Sequence, residues 1–284
     1  FSLSSLEFGR LESTHFGLFV TMKSDINKRG HRMAIPQEWD LTGKTAIITA
    51  DRRGWTPHLA SALAEAGADV AVAGSENSDM TDAVSAVKKL GRKSVAITTN
   101  VRDAESVNSM VSTAVLELGK LDILVNNARA EFGKRFEKVE ECEWDTLMDF
   151  NVKSMFLCCQ AVGNVMLEQK SGRIVNIGSA LSVRGLWNSV AACAAQGAIH
   201  QLTSSLALEW GREGIRVNSI GAGWITPEEQ TEESQKELLV RYIPSRRKGH
   251  PNDLASLLVY LASDACDFVT GQTIFIDGGV LAHA

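Results

Sequence analysis

The sequence predicts an α/β fold, with a doubly wound parallel sheet of seven strands in a single domain. Three observations lead there. Short apolar runs alternate with helical stretches from Leu41 almost to the end of the chain. The apolar runs are continuous, so both faces of the sheet are covered. The connections are short, with neither a linker nor an internal repeat.

Each element has its own signal. Lys44–Ala50 (KTAIITA) is β-branched and apolar, a buried strand. Pro57–Ala66 has helical spacing, with Thr56 and Pro57 as an N-cap and N1 pair and Gly67 as the stop. Asp69–Ala73 is the second strand, and Thr81–Leu90 a helix closed by Gly91. Ser94–Thr98 (strand), Asp103–Leu118 (helix) and Leu121–Asn126 (strand) follow. Glu143–Gln169 reads as one long helix, Arg173–Ile177 as the fifth strand and Ser189–Trp210 as another long helix. Ile215–Ile220, the helix Asp253–Ala262 and the strand Thr273–Ile276 complete the pattern. Glu228–Glu237 is charge-rich and reads as the solvated face of a lid helix.

Composition narrows the function classes. The 284 residues are 44% hydrophobic and 22% charged, ordinary for a globular chain with a sizeable core. Net charge is −5 with no long basic run, which argues against nucleic acid as the main partner. No apolar run reaches the roughly 18 residues of a membrane span. The five cysteines show no CxxC spacing, so neither zinc nor a redox pair is suggested. Buried free thiols fit a reducing compartment, and a cytoplasmic location is expected. Residues 1–32 show no clean periodicity; they are expected to be a tail outside a domain spanning 33–284, with Met22 and Met33 as candidate starts.

In such sheets ligands bind beyond the carboxyl ends of the strands, so the residues after each strand carry the functional signal. After the first strand comes Thr49-Ala50-Asp51-Arg52-Arg53-Gly54-Trp55-Thr56-Pro57. A dinucleotide turn wants several glycines for close approach of the pyrophosphate, and only Gly54 is present. Pro57 removes one donor from the anion-binding helix start, and Asp51 adds a carboxylate, partly offset by Arg52 and Arg53. Further along stand Asp122-Ile123-Leu124-Val125-Asn126-Asn127-Ala128, Phe150-Asn151-Val152, and Arg173-Ile174-Val175-Asn176-Ile177-Gly178-Ser179. Then come Arg216-Val217-Asn218 before Gly221-Ala222-Gly223, and finally Thr270-Gly271-Gln272 and Asp277-Gly278-Gly279.

Together, in this order, these motifs resemble the short-chain dehydrogenase/reductase family over nearly all of residues 41–280. The look is nearest to bacterial sugar-acid and acyl-carrier ketoreductase types. The resemblance implies a Rossmann-type fold, NAD or NADP as cofactor, and usually a homotetramer. Carried over by position, it assigns Arg53, Gly54, Trp55, Ser75, Asn100, Val101, Asn126 and Ala128 to the cofactor. Ala50 and Thr56 replace two of the family's turn glycines, and Arg129 stands where its Asn-Asn-Ala-Gly motif ends in glycine. The family's catalytic asparagine and serine match Asn151 and Ser179. Its tyrosine position is Ala192 and its lysine position is Gln196, with Gly197-Ala198-Ile199 fixing the register.

Hydride transfer at a carbonyl needs a proton donor at the oxygen. The family's tyrosine supplies it because the neighbouring lysine stabilises phenolate. Alanine has no proton to give, and a neutral glutamine cannot tune a phenol, though its amide can still hydrogen-bond a ribose. Three readings stay open. The first is a pseudoenzyme, a homo-oligomer or a non-catalytic partner of an intact relative through helices 143–169 and 189–210. The second is an active NAD(P)-dependent oxidoreductase on a hydroxy or keto substrate, with Tyr242 or a water held by Ser179 as substitute acid. The third is a non-redox descendant with Arg129 as an anion site. His200 reads as a packed or surface residue, and Arg246, Arg247 and Lys248 as a solvated loop.

Overall fold

The computed structural model describes residues 37–50, 53–75, 78–229 and 231–282. The expected tail, 1–32, lies outside them, as do Asp51 and Arg52. Seven strands form one sheet: β1 (Thr45–Thr49), β2 (Asp69–Gly74), β3 (Ser94–Thr98), β4 (Ile123–Asn126), β5 (Gly172–Ser179), β6 (Ile215–Ala222) and β7 (Thr273–Ile276). Their order is β3-β2-β1-β4-β5-β6-β7, and every pair is parallel. The order reverses between β1 and β4, which puts the ligand crevice outside their carboxyl ends.

Eight α-helices lie among the described residues: α1 (Thr56–Glu65), α2 (Ser78–Lys89), α3 (Ala104–Leu118), α4 (Glu141–Met148), α5 (Ser154–Gln169), α6 (Val190–Trp210), α7 (Leu238–Tyr242) and α8 (Pro251–Ala262). One core joins a sheet face to Leu59 and Leu63 of α1, Val87 of α2, and Leu254 and Leu258 of α8. The other joins the opposite face to Met110 of α3, Val162 of α5 and Ile199 of α6. Covered on both sides, β1 and β5 are buried at every residue. That double burial explains their unbroken apolar runs.

Three expectations need correction. Thr56 does not cap α1: Trp55 holds the N-cap position, and Thr56 is fully buried. Its hydroxyl accepts instead from the Asn127 side chain, 3.2 Å away just after β4, so a tertiary partner has displaced the local cap. The predicted long helix 143–169 is two helices joined by a π turn at Asp149–Lys153. Asn151 sits in that turn and is buried, and its amide both donates to and accepts from the backbone of Ala130 at 2.9 and 2.8 Å. The wider turn is what aims the asparagine inward. The predicted lid helix 228–237 is absent; the described residues there contain only a 3-10 turn, Ser234–Lys236, before the short α7. Glu228/Glu232, Glu229/Glu233 and Glu233/Glu237 would be like-charge pairs one turn apart, which opposes helix.

A buried polar chain ties the sheet together. Asn126 of β4 donates to Asn176 of β5 at 2.9 Å, and Asn176 donates to Thr203 of α6 at 2.9 Å. Asn126 thus serves the scaffold. Cys159 lies against the same pair, and burial raises its thiol pKa, as it raises that of Cys158 to about 12. Both thiols are therefore inert at neutral pH. Asn176→Leu is expected to cost about 2–3 kcal/mol, because the buried partners lose their bonds rather than being replaced with it. Urea unfolding measures this, and a loss under about 0.5 kcal/mol would show that the network relaxes.

Where α1 meets α8, two histidine rings stack edge-on, His58 and His250, 4.6 Å apart. The His250 ring nitrogen accepts from Asn252 N and so caps α8. Burial, and then the charge of His250, hold the His58 pKa below its usual 6.5. The folded state therefore favours neutral His58. This stabilisation is present above the unfolded value and is lost as pH falls through the lowered one. The urea midpoint is expected to fall between about pH 7.5 and 5.5. His58→Gln should flatten that decline, and an unchanged slope would place the effect elsewhere.

Candidate functional site

The loops after β1, β4, β5 and β6 surround a cavity of about 670 Å³, within the range of small-molecule sites. Ser179 ends β5 on its floor and is 5% exposed; its hydroxyl accepts from Leu181 N at 3.2 Å. Ala192 and Gln196, one helical turn apart on α6, share the floor at 7% and 2% exposure. Asn151 completes the group, but both ends of its amide are taken by Ala130. The four positions carried over from the family tetrad therefore meet at one place. The Oε1 of Gln196 is buried without a hydrogen-bond partner among the described residues. Tyr242 does not line the cavity; its hydroxyl accepts from Arg184, which does.

The cofactor positions do not all converge. Arg53 and Trp55 line the cavity, the guanidinium 3.8 Å above the indole. Gly54, Ser75, Asn100, Val101, Asn126 and Ala128 lie outside it. Ser75 and Asn100 are exposed, Val101 and Ala128 buried. Asn100 is spent on its own turn, accepting from Arg102 N at 3.2 Å. Ala128 donates its N–H to Thr49 Oγ1 at 3.0 Å.

Several contacts bear on the dinucleotide turn. Asp79, at the start of α2, accepts from Gly54 N at 2.7 Å, so a carboxylate already holds an anion position. A Cβ on Gly54 would lie 3.0 Å from Pro227, so the loop after β6 packs against the turn. Arg53 donates to the backbone and side-chain oxygens of Asn127 at 2.8 and 3.2 Å, drawing β1 and β4 together at the crevice. Arg129 reaches from the loop after β4 to the Gly178 carbonyl of β5 at 3.2 Å and pairs with Glu131, its side chain only 8% exposed. A carboxylate seated on the Gly54 N–H repels a pyrophosphate at that donor, so the turn fits the group poorly while Asp79 stays there.

With this geometry in place, likeness to known proteins is informative. The family model described as Enoyl-(Acyl carrier protein) reductase matches residues 49–281. The chain belongs to the short-chain dehydrogenase/reductase family. The 3-oxoacyl-(acyl-carrier-protein) reductase of Staphylococcus aureus (strain N315) is 35% identical over 240 residues, 84% of this chain and 98% of that one. The 2-dehydro-3-deoxy-D-gluconate 5-dehydrogenase of Escherichia coli (strain K12) is 34% identical over 250 residues, covering 86% and 98%. Among solved structures, a putative short-chain alcohol dehydrogenase of Sinorhizobium meliloti superposes with a TM-score of 0.82 at 37% identity, covering 87% of this chain and 100% of that one. A gluconate 5-dehydrogenase of Burkholderia cenocepacia, in complex with NADP and tartrate, gives 0.80 at 29%, covering 87% and 98%. These are oxidoreductases, and the dinucleotide of this short-chain dehydrogenase/reductase family is NAD or NADP.

Sequence reasoning missed Asp79, Arg184, Trp224 and Leu239. Arg184 follows β5 on the carboxyl side, where the rule for such sheets directs attention, so its position was a usable signal. Asp79 gave none, because it comes from a helix start 25 residues away. Lys248 is not merely part of a solvated loop: it lines the cavity and pairs with Glu237 at 2.7 Å. Arg247 pairs with Asp253 at 2.6 Å. His200, half-buried, contacts Thr273 Oγ1 at 3.0 Å, a packing role.

Proposed function

We propose that this chain is a catalytically impaired short-chain dehydrogenase/reductase that keeps the fold and a ligand cavity but not hydride transfer. One observation carries this reading: Ala192 and Gln196 sit on the cavity floor beside Ser179, where a proton donor and its tuning cation would stand. Ser179 and Asn151 are remnants. The Asp79 contact to Gly54 and the Arg129 bridge support weak dinucleotide binding. The working form is an oligomer, of this chain alone or with an intact relative, in the cytoplasm. Exposed apolar side chains on the helices support that: Leu116 of α3, Phe156 of α5 and Leu208 of α6. The test is turnover of NADPH and NADH with a panel of keto esters and hydroxy acids, alongside calorimetric titration of both dinucleotides. Background rates and, for both dinucleotides, dissociation constants no tighter than about 0.1 mM are expected; reduction at a rate normal for the family would end the proposal.

A further inference from the structure

The cavity has a marked chemical bias. Its walls carry four cations, Arg53, Arg129, Arg184 and Lys248, against one carboxylate, Glu131, in a chain whose net charge is −5. Arg129 pairs with Glu131, and Lys248 with Glu237 outside the lining. Arg184 differs. It is half-buried, and its partners among the described residues are all neutral: the Tyr242 hydroxyl, the Val280 carbonyl and the Tyr242 ring, 4.9 Å from the guanidinium carbon. A guanidinium has five N–H donors, and two are engaged here. A half-buried cation without a counterion favours an anion, and the planar fork suits a carboxylate. The same lining is apolar at Phe132, Leu186, Trp224 and Leu239. Ala192 contributes the room a larger side chain would fill, and one helical turn on Gln196 holds a buried acceptor without a partner among the described residues.

We infer that this cavity binds an organic monocarboxylate with an apolar body, the carboxylate on Arg184 and the body against Trp224 and Leu239. The inference deepens the proposed function, since it rests on a site that binds rather than transfers hydride. It requires no dinucleotide.

The experiment titrates the full chain, without cofactor, with sodium octanoate, following tryptophan fluorescence and heat. Trp55 and Trp224 in the lining provide the optical signal. Two comparison ligands separate the parts: 1-octanol lacks the charge, and gluconate lacks the apolar body. Octanoate is expected to saturate, with both others at least about tenfold weaker. Arg184→Gln should weaken octanoate about 10- to 100-fold, the effect of losing a charge-assisted pair, while Arg184→Lys retains most of the binding. Ala192→Phe should abolish binding by filling the space, with unchanged circular dichroism. It decides the matter if Arg184→Gln fails to fold. Gluconate binding tighter than octanoate, wild-type affinity in Arg184→Gln or in Ala192→Phe, or no saturation at millimolar octanoate would each overturn the inference. Carbonyl reduction by the wild-type chain, read in the separate turnover assay, would overturn the proposed function and leave the octanoate result standing on its own.

Discussion

Replacing Ala192 by tyrosine, Gln196 by lysine and Arg129 by glycine together is expected to raise NADPH-dependent ketone reduction at least about 100-fold over the wild-type chain. Tyrosine on α6 restores a proton donor beside Ser179, and lysine one turn on restores the cation that lowers the phenol's pKa. Glycine removes the bridge from the loop after β4 to the Gly178 carbonyl. The double variant that keeps Arg129 should gain less, because the bridge still crosses between strand ends. NADPH absorbance gives the rates and calorimetry the binding. A triple variant that binds NADPH and stays at background would show that the chemistry failed for a reason beyond these positions.

Gly214→Ala is expected to remove about 3 kcal/mol of stability, a fall in Tm of roughly 6–12 °C for a domain of this size. Gly214 precedes β6 with φ +77°, and a Cβ there would lie 2.3 Å from the Lys170 carbonyl oxygen. Both the left-handed backbone and the clash oppose a side chain, and a backbone oxygen cannot rotate away. Gly91→Ala separates the two causes: its φ is +76°, but nothing lies within 4 Å of the added Cβ. That variant should lose only about 1 kcal/mol. Equal losses in the two would rule out the clash as the larger cause.

The sheet was legible because strands covered on both faces must be apolar throughout, and β7 was read to the residue. The floor of the cavity was legible too, because family spacing placed Ala192 and Gln196 on one helix face with Asn151 and Ser179 close by. The π turn was not: Asn151 gains its geometry from the backbone of Ala130, 21 residues away. Thr56 looked like a cap because local sequence shows no trace of Asn127, its partner across the crevice. The missing lid helix was within reach, since the glutamate spacing alone argued against it. What escaped the sequence were contacts between distant segments, Asp79 with Gly54 and Arg184 with Tyr242.

A phosphate can reach the Gly54 N–H only after the Asp79 carboxylate has left it. While the carboxylate is seated, the turn's N–H carries an internal occupant of the same charge as any phosphate that arrives. An incoming anion then sees only the fraction of molecules in which α2 has released its side chain. Its apparent dissociation constant exceeds the intrinsic one by the reciprocal of that fraction. If the open turn is populated one time in a hundred, a micromolar site behaves as a site of about 0.1 mM. A contact of this kind would discriminate against dinucleotides through the occupancy of one loop, without any change in the sheet that would support them.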